Sequence, residues 1–196
     1  MKPDIIIPSN KPEWKLRKQI KAICETSPGC RVIPTCFDTS AATNRNWGLN
    51  HACDIVVMVD DDIWGYFPGW AAMLAAPLAD PGVVMVSARL MKTKTKPGVM
   101  MNIRLDLSAD IVEVPDQVLP SACIAIRNDG TRFDEAYLGA GFEDTDYCMQ
   151  LNEKYPEGRY LIRNDVKMIH RNEMKGQQDW RFMNNRTRYM RKWGFE

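Results

Sequence analysis

No apolar run in this 196-residue chain is long enough to cross a bilayer as a helix. The longest apolar-rich stretch, residues 66–79, is broken by Pro68 and Pro77 and falls short of the roughly 20 residues that a span requires. A secretory leader is not expected either. Met1-Lys2-Pro3-Asp4 is followed by only three isoleucines before Pro8, too few for an apolar leader core. The six cysteines (Cys24, Cys30, Cys36, Cys53, Cys123, Cys148) contain no C-x-x-C pair, and the recurrence of Cys24, Cys30 and Cys36 every six residues fits no zinc-ligand spacing. The expectation is therefore a cytoplasmic protein with reduced, mostly buried thiols. There is no surplus of one charge, with 26 Lys/Arg against 25 Asp/Glu, so the field of the whole molecule names no partner. Neither an internal repeat nor a low-complexity tract marks a boundary, and residues 1–196 read as one domain.

The charge that is present is unevenly distributed. Residues 105–158 hold 12 Asp/Glu against 3 Lys/Arg, and residues 159–196 hold 10 Lys/Arg against 4 Asp/Glu. An acidic middle followed by a basic tail suggests a cationic or metal site beside an anion-binding surface, although solvated helix faces explain most such residues equally well. The stretch on which the rest is organised is 54–62. There Ile55-Val56-Val57-Met58-Val59, apolar throughout, reads as a strand buried on both faces and ends in Asp60, Asp61 and Asp62. Three carboxylates at one strand end repel one another unless a cation or hydrogen-bond donors share the charge. Hard oxygen ligands of this kind suit Mg²⁺ or Mn²⁺.

Around it the first half alternates strand and helix. A short strand at 5–7 stops at Pro8-Ser9-Asn10, and a helix begins at Pro12 with Leu16, Ile20, Ile23 and Cys24 on one face. A strand at 31–37 exits at Asp38, and residues 41–52 read as a helix interrupted at Gly48. Right-handed crossovers would lay these strands parallel and bring Pro8, Ser9, Asn10, Asp38 and Asp60–Asp62 to one sheet edge, where ligands bind in open α/β sheets. Further along, 67–78 reads as a helix, 83–86 as a strand, 92–98 as a charged loop, 99–114 as a strand or ribbon, and 122–126 as a strand. Glu143, Asp144 and Asp146 crowd the first turn of a helix whose buried face is Tyr147, Cys148, Leu151 and Tyr155. A helix dipole accounts for one or two such carboxylates, but a carboxylate beside a glycine-rich loop is also how a general base is presented. Two short strands follow at 160–163 and 166–169, the second ending at His170, and 177–193 reads as a helix with Trp180, Met183, Thr187 and Met190 along one face.

Asp60-Asp61-Asp62, preceded by Asn44-Arg45-Asn46-Trp47-Gly48-Leu49-Asn50-His51-Ala52, resembles the D-x-D and R-N-x-G-hydrophobic-x-x-A elements of family-2 glycosyltransferases with the GT-A fold. Phe133-Asp134-Glu135 followed by Gly141-Phe142-Glu143-Asp144 is similar to the F-D-E and G-x-E-D elements of that family, and His170 stands where many members place a late histidine on the metal. The resemblance runs from residue 5 to about residue 194. It implies a Rossmann-like, three-layer α/β/α fold with a mostly parallel central sheet and a small antiparallel ribbon. Residues 1–105 would mainly bind the sugar nucleotide, and residues 106–196 would carry the acceptor side. Asp60, Asp62 and His170 would hold Mn²⁺ or Mg²⁺. Pro8, Ser9, Asn10, Asp38, Arg45, Asp60 and Asp61 would line the donor site, and Asp144 would be the base of an inverting transfer from a nucleoside-diphosphate sugar to a carbohydrate or other hydroxyl. Asp38 suits the N3–H of uracil, which favours a UDP-sugar. The short chain leaves little material for an acceptor subdomain, so the acceptor stays open. The same chemistry on a modified nucleic-acid base, nucleotidyl transfer, and a non-catalytic sugar-nucleotide module are the alternatives. Nucleotidyl transfer is weakened because no glycine-rich phosphate loop follows the first strand.

Overall fold

Residues 5–7 and 55–59 are apolar at every position, a pattern that only a strand covered on both faces can bury, and both runs lie in the interior of one sheet. A computed structural model of the chain describes residues 2–37, 40–92, 109–114, 118–139, 141–171 and 180–195. Its strands are β1 (Asp4–Ser9), β2 (Val32–Cys36), β3 (Ile55–Val59), β4 (Ile63–Trp64), β5 (Val83–Met91), β6 (Ile111–Glu113), β7 (Cys123–Arg127) and β8 (Arg159–His170). The helices are α1 (Glu13–Thr26), α2 (Ala41–His51), α3 (Trp70–Ala75), α4 (Glu143–Lys154) and α5 (Trp180–Trp193). The sheet order is β2-β1-β3-β7-β5-β8-β4, with β6 also on β8. β1, β2, β3, β5 and β8 run one way, while β7 is inserted antiparallel between β3 and β5, and β4 and β6 add antiparallel to β8. The expected parallel β1–β2–β3 unit, mostly parallel sheet and three-layer α/β/α arrangement are all present. α1 and α3 are joined by Gly69 N–H on Thr26 O (2.7 Å) and Trp70 Nε1 on Thr26 Oγ1 (3.2 Å).

Several elements differ from the sequence expectation for local reasons. α2 is not interrupted at Gly48. A Cβ there would lie 2.5 Å from Ile6 Cγ2, so the glycine lets α2 lie close on β1. The helix expected over 67–78 is regular only from Trp70. Gly69 before it is left-handed (φ 82°), and with Pro77 lacking an N–H donor the chain tightens into a 3-10 turn over Ala76–Ala79. The strand expected at 83–86 continues to Met91 because β8 pairs with it along that whole length, while β7 covers Met85–Ser87 on the other side. The two late strands are one, β8, whose register against β5 shifts between Ala88 and Arg89, so that Ala88 faces Arg163 and Arg89 faces Lys167.

Two burial expectations are corrected. In α5 the face that docks is Asn185 and Tyr189, while Trp180 and Met183 are 60% and 50% exposed. Ion pairs and aromatic contacts, not an aliphatic stripe, seat that helix. In α1 the buried residues are Leu16, Gln19 and Ile23, and Cys24 is exposed. Of the six cysteines, all free, only Cys123 and Cys148 are fully buried. Among the described residues no helix is long and apolar enough to cross a membrane. The loop expected at 93–98, the ribbon at 99–108 and the helix start at 177–179 lie outside the described residues.

Candidate active site

Parallel pairing of β1, β2 and β3 puts Ser9, Cys36 and Val59 at the same sheet edge. The chain leaves β3 through Asp60, whose N–H bonds Ala122 O at 2.8 Å, and turns so that Ile63 N–H reaches back to Asp60 O at 3.2 Å. β4 then pairs Ile63 with His170, and Arg171 N–H bonds Asp62 O at 3.1 Å. The two-residue strand β4 thus brings the end of β8 to the aspartates. His170 Nε2 lies 3.3 Å from Asp62 Oδ1, and one ligand atom from each of Asp60, Asp62 and His170 fits within 4.8 Å of the others. Burial raises the Asp60 carboxyl to about 6, Arg45 opposing and Asp62 adding to the shift. Burial also acts on Asp62, but the hydrogen bond and charge of His170 outweigh it and hold that carboxyl below its usual value. The His170 imidazole is raised: burial alone would lower it, and the hydrogen bond and charge of Asp62, with the charge of Asp60, overcome that. Asp61 does not join this cluster. It accepts from Ser9 Oγ and from Lys11 Nζ (2.8 Å), which ties it to the loop after β1.

The Asn44–Gly48 segment of α2 assembles the surroundings. Asn44 takes Phe37 N–H at 3.1 Å and gives Nδ2–H to Ser9 O at 3.1 Å, locking the ends of β1 and β2 together. Arg45, 4% exposed, reaches Glu143 Oε1 with Nη1 (2.9 Å) and Asp60 Oδ1 with Nη2 (3.1 Å) and lies over the Phe133 ring. Burial alone would lower its pKa, but the charges of Asp60 and Glu143 raise it. Asn46 exchanges two 2.9 Å bonds with the backbone of Phe133 and donates to Glu135 Oε1 at 2.8 Å, which fixes the Phe133-Asp134-Glu135 segment. One helical turn therefore connects the aspartate loop to the start of α4.

The three carboxylates opening α4 have separate environments. Glu143 is buried and used at both oxygens, by Arg45 on one and by Gly141 N–H (2.5 Å) on the other. Asp146 is fully buried and accepts from Tyr137 Oη (3.1 Å), Gln150 Nε2 (2.8 Å), Trp193 Nε1 (2.9 Å) and Lys192 Nζ (2.8 Å). Asp144 is only partly buried and takes Thr145 N–H at 2.8 Å on Oδ1. Burial, with the Glu143 charge beside it, raises its carboxyl to about 6 against the pull of Arg45. Of the three, Asp144 alone combines access with a proton affinity suited to accepting a proton near neutral pH.

Pro8 and Ser9 are buried at the edge, and Asn10 beside them is exposed. Asp38 lies outside the described residues. Sequence reasoning gives no role to Gln19, Asn44 or Asn185. Gln19 sits under the aspartate loop, giving Nε2–H to Asp60 O (2.8 Å), and the amide of Asn185 bonds the backbone of Leu138 and Gly141. The signal for Gln19 was an amide on the apolar stripe of α1, between Leu16 and Ile23.

No protein-family model matches the chain, and no curated protein matches it. Solved structures do. GalNAc-T7 with UDP, GalNAc and Mn²⁺ superposes at TM-score 0.63 and 14% identity, covering 95% of this chain and 41% of that one. The mannosyltransferase PcManGT from Pyrobaculum calidifontis, in complex with GDP-Man and Mn²⁺, gives 0.63 and 15%, covering 100% of this chain and 65% of that one. Glucosyl-3-phosphoglycerate synthase from Mycobacterium tuberculosis, with Mn²⁺, UDP and glucosyl-3-phosphoglycerate, gives 0.62 and 12%, covering 97% and 79%. The chain thus has the GT-A fold of these glycosyltransferases, and it spans less than two thirds of the length of the first two.

Proposed function

We propose that this chain is a metal-dependent, inverting glycosyltransferase that moves a sugar from a nucleoside-diphosphate sugar, with a UDP-sugar favoured, to an acceptor hydroxyl. The observation that carries the reading is the convergence of Asp60, Asp62 and His170 within 4.8 Å at the carboxyl edge of the sheet, with a partly exposed Asp144 on a different element. Two carboxylates and an imidazole suit Mn²⁺ at least as well as Mg²⁺. Burial, with the Asp62 charge adding to it, raises the Asp60 carboxyl, and a divalent cation held by these oxygens and the imidazole would offset both, so the residues fit such an ion. When bound, that cation would neutralise charge growing on the departing nucleoside diphosphate. Fold neighbours bound to UDP or GDP-Man together with Mn²⁺ support the same assignment.

In this reading the protein's own residues divide the work. Ser9, Asn10 and Asp61 line the nucleotide side with Pro8, Asp38 is assigned to the nucleotide base from its place in the sequence, and residues 1–105 are mainly donor-binding. Arg45 holds Asp60 and Glu143 at a fixed separation. Asp144 receives the acceptor proton as the hydroxyl attacks from the face opposite the leaving group, a task for which a carboxyl near 6 is largely ionised at neutral pH. Within the basic tail, Arg188 and Lys192 are paired with Asp134, and Lys192 also with Asp146, so these two charges serve the fold as well as any acceptor.

A thermal-shift screen of UDP-, GDP- and dTDP-sugars with Mn²⁺ tests the donor assignment. Stabilisation by one nucleotide series that vanishes in EDTA is expected. Equal stabilisation with and without metal overturns the metal role of these residues, and binding without any turnover favours a sugar-nucleotide module.

A further inference from the structure

The segment that delivers Asp144 to the site is strained. Gly139 (φ 71°), Gly141 (φ 109°) and Phe142 (φ 68°) all lie in the left-handed region, and Phe142 is the non-glycine residue among them. Phe142 is also the residue from which α4 starts, its carbonyl accepting Asp146 N–H at 2.9 Å. A phenylalanine holds such a backbone only where its surroundings leave no alternative. Its dihedral angles set the direction in which Glu143 and Asp144 leave the loop.

Those surroundings come from α5. Asn185 is 2% exposed, and its side-chain amide makes three bonds, all to the backbone of this segment. Oδ1 accepts Leu138 N–H at 3.0 Å, and Nδ2 donates to Leu138 O and to Gly141 O, both at 2.9 Å. An asparagine amide offers two N–H donors, so both are committed here. On the same face of α5 the Phe182 ring packs where a Gly141 Cβ would stand, at 2.6 Å, and Phe182 and Tyr189 contact the Phe142 ring at centroid distances of 5.1 and 5.4 Å. Lys192 and Trp193 then hold Asp146, in the first turn of α4. None of the hydrogen bonds or ion pairs described for α5 reaches Asp60, Asp62 or His170.

We infer that Asn185 is a positioning residue for the proton-accepting step, fixing the left-handed Gly139–Gly141–Phe142 approach so that Asp144 faces the acceptor. The inference rests on the reading of Asp144 as the base. Its consequence is a division: α5 governs transfer and leaves donor binding alone. A shift of about 1 Å in a reacting group is enough to lower a rate by roughly a hundredfold.

The test compares wild type, Asn185→Ala, Asn185→Ser and Asp144→Asn. Binding is read by calorimetry with UDP and Mn²⁺. Turnover is read as UDP release from a panel of UDP-glucose, UDP-galactose and UDP-N-acetylglucosamine, water serving as the acceptor hydroxyl. The expected result is a fall of about 10–100-fold in kcat for both Asn185 variants, with UDP–Mn²⁺ affinity and donor KM within about twofold of wild type. The acid limb of kcat, which reports Asp144, should also move. Asn185→Ser leaves room for a water and carries the test if the alanine variant does not fold. Hydrogen–deuterium exchange of Leu138, Gly139, Gly141 and Phe142 reads the same approach without turnover and should rise about tenfold in Asn185→Ala. If Asp144→Asn turns over like wild type, the base reading fails and takes this inference with it. If Asp144→Asn is impaired while the Asn185 variants keep kcat, or lose kcat and UDP–Mn²⁺ affinity together, the positioning role alone is overturned. Unchanged exchange in the loop also overturns it.

Discussion

Arg45 offers the sharpest test of how the site is built, because the expected effect does not need substrate. Its guanidinium is 4% exposed, and Glu143, 5% exposed, depends on it for one of two oxygens. Replacing Arg45 with alanine leaves Glu143 buried with a single N–H donor, from Gly141, and leaves Asp60, 27% exposed, beside Asp62 without its cation. Removing one partner of a buried pair costs about 3–5 kcal/mol. Asp60 can relax into water, so the lower end of that range, about 3 kcal/mol, is the better estimate here. For a chain of this size each kcal/mol moves Tm by about 2–4 °C, so Arg45→Ala should melt roughly 6–12 °C lower in metal-free buffer. Calorimetric melts of Arg45→Ala, Glu143→Gln and the double variant separate the causes. If the loss comes from a stranded carboxylate, neutralising it should return at least ~1 kcal/mol, so the double variant melts above Arg45→Ala. A drop under about 2 °C, or no recovery in the double variant, would refute the clamp. The guanidinium would then be better regarded as held for the nucleotide.

Calorimetry with UDP and Mn²⁺ should show affinity collapsing in Asp62→Ala and again in EDTA, and unchanged affinity would remove that aspartate from the metal site. Asp144→Asn keeps shape and should retain UDP–Mn²⁺ binding while turnover falls by about 10²–10⁴, whereas Glu143→Gln should be far milder in rate; the reverse pattern moves the base by one residue. Because the Asp144 carboxyl is raised to about 6 and the base must be ionised, kcat should rise with pH up to about that value and then level. Below it kcat should drop about tenfold per unit, and the limb should be missing in Asp144→Asn. Gly48→Ala should lose about 1–2 kcal/mol in urea melts, since strain against Ile6 exceeds the helix-propensity gain; a stabilised variant would show that α2 can lift off β1.

What the sequence disclosed, it disclosed through period and position. Ile5–Ile7 and Ile55–Val59 are continuously apolar, so their place inside the sheet, and the shared edge of Ser9 and Asp60, followed from pattern and crossover handedness alone. The strand β7 was visible at 122–126, but its antiparallel insertion between β3 and β5 was not, because direction is decided by pairings far apart in sequence. The period of residues 177–193 predicts a helix, and α5 is one, but it predicts a different docking face from the one observed. Its period-3.6 apolar stripe carries Trp180 and Met183, yet the contacts available to it are the Leu138 and Gly141 backbone, the Phe142 ring, Asp134 and Asp146, and those select Asn185, Tyr189 and Lys192 instead. Periodicity measures what a helix could bury and is silent about what its neighbour offers.

The same limit explains why the roles of Glu143, Asp144 and Asp146 could not be assigned from their spacing. All three sit in one turn of α4, and local propensity treats them alike as carboxylates favoured by the helix dipole. The distinction is made by residues about 50 to 100 positions away. Arg45, 98 residues upstream, takes Glu143, and Lys192 and Trp193, 46 and 47 residues downstream, take Asp146. Asp144 is left with a short local bond to Thr145, and burial together with the neighbouring Glu143 charge raises its proton affinity against that bond while the other two are tied down. A catalytic assignment within such a cluster therefore belongs to the tertiary pairing and not to the motif. The motif supplies three interchangeable acids, and the fold withdraws two of them.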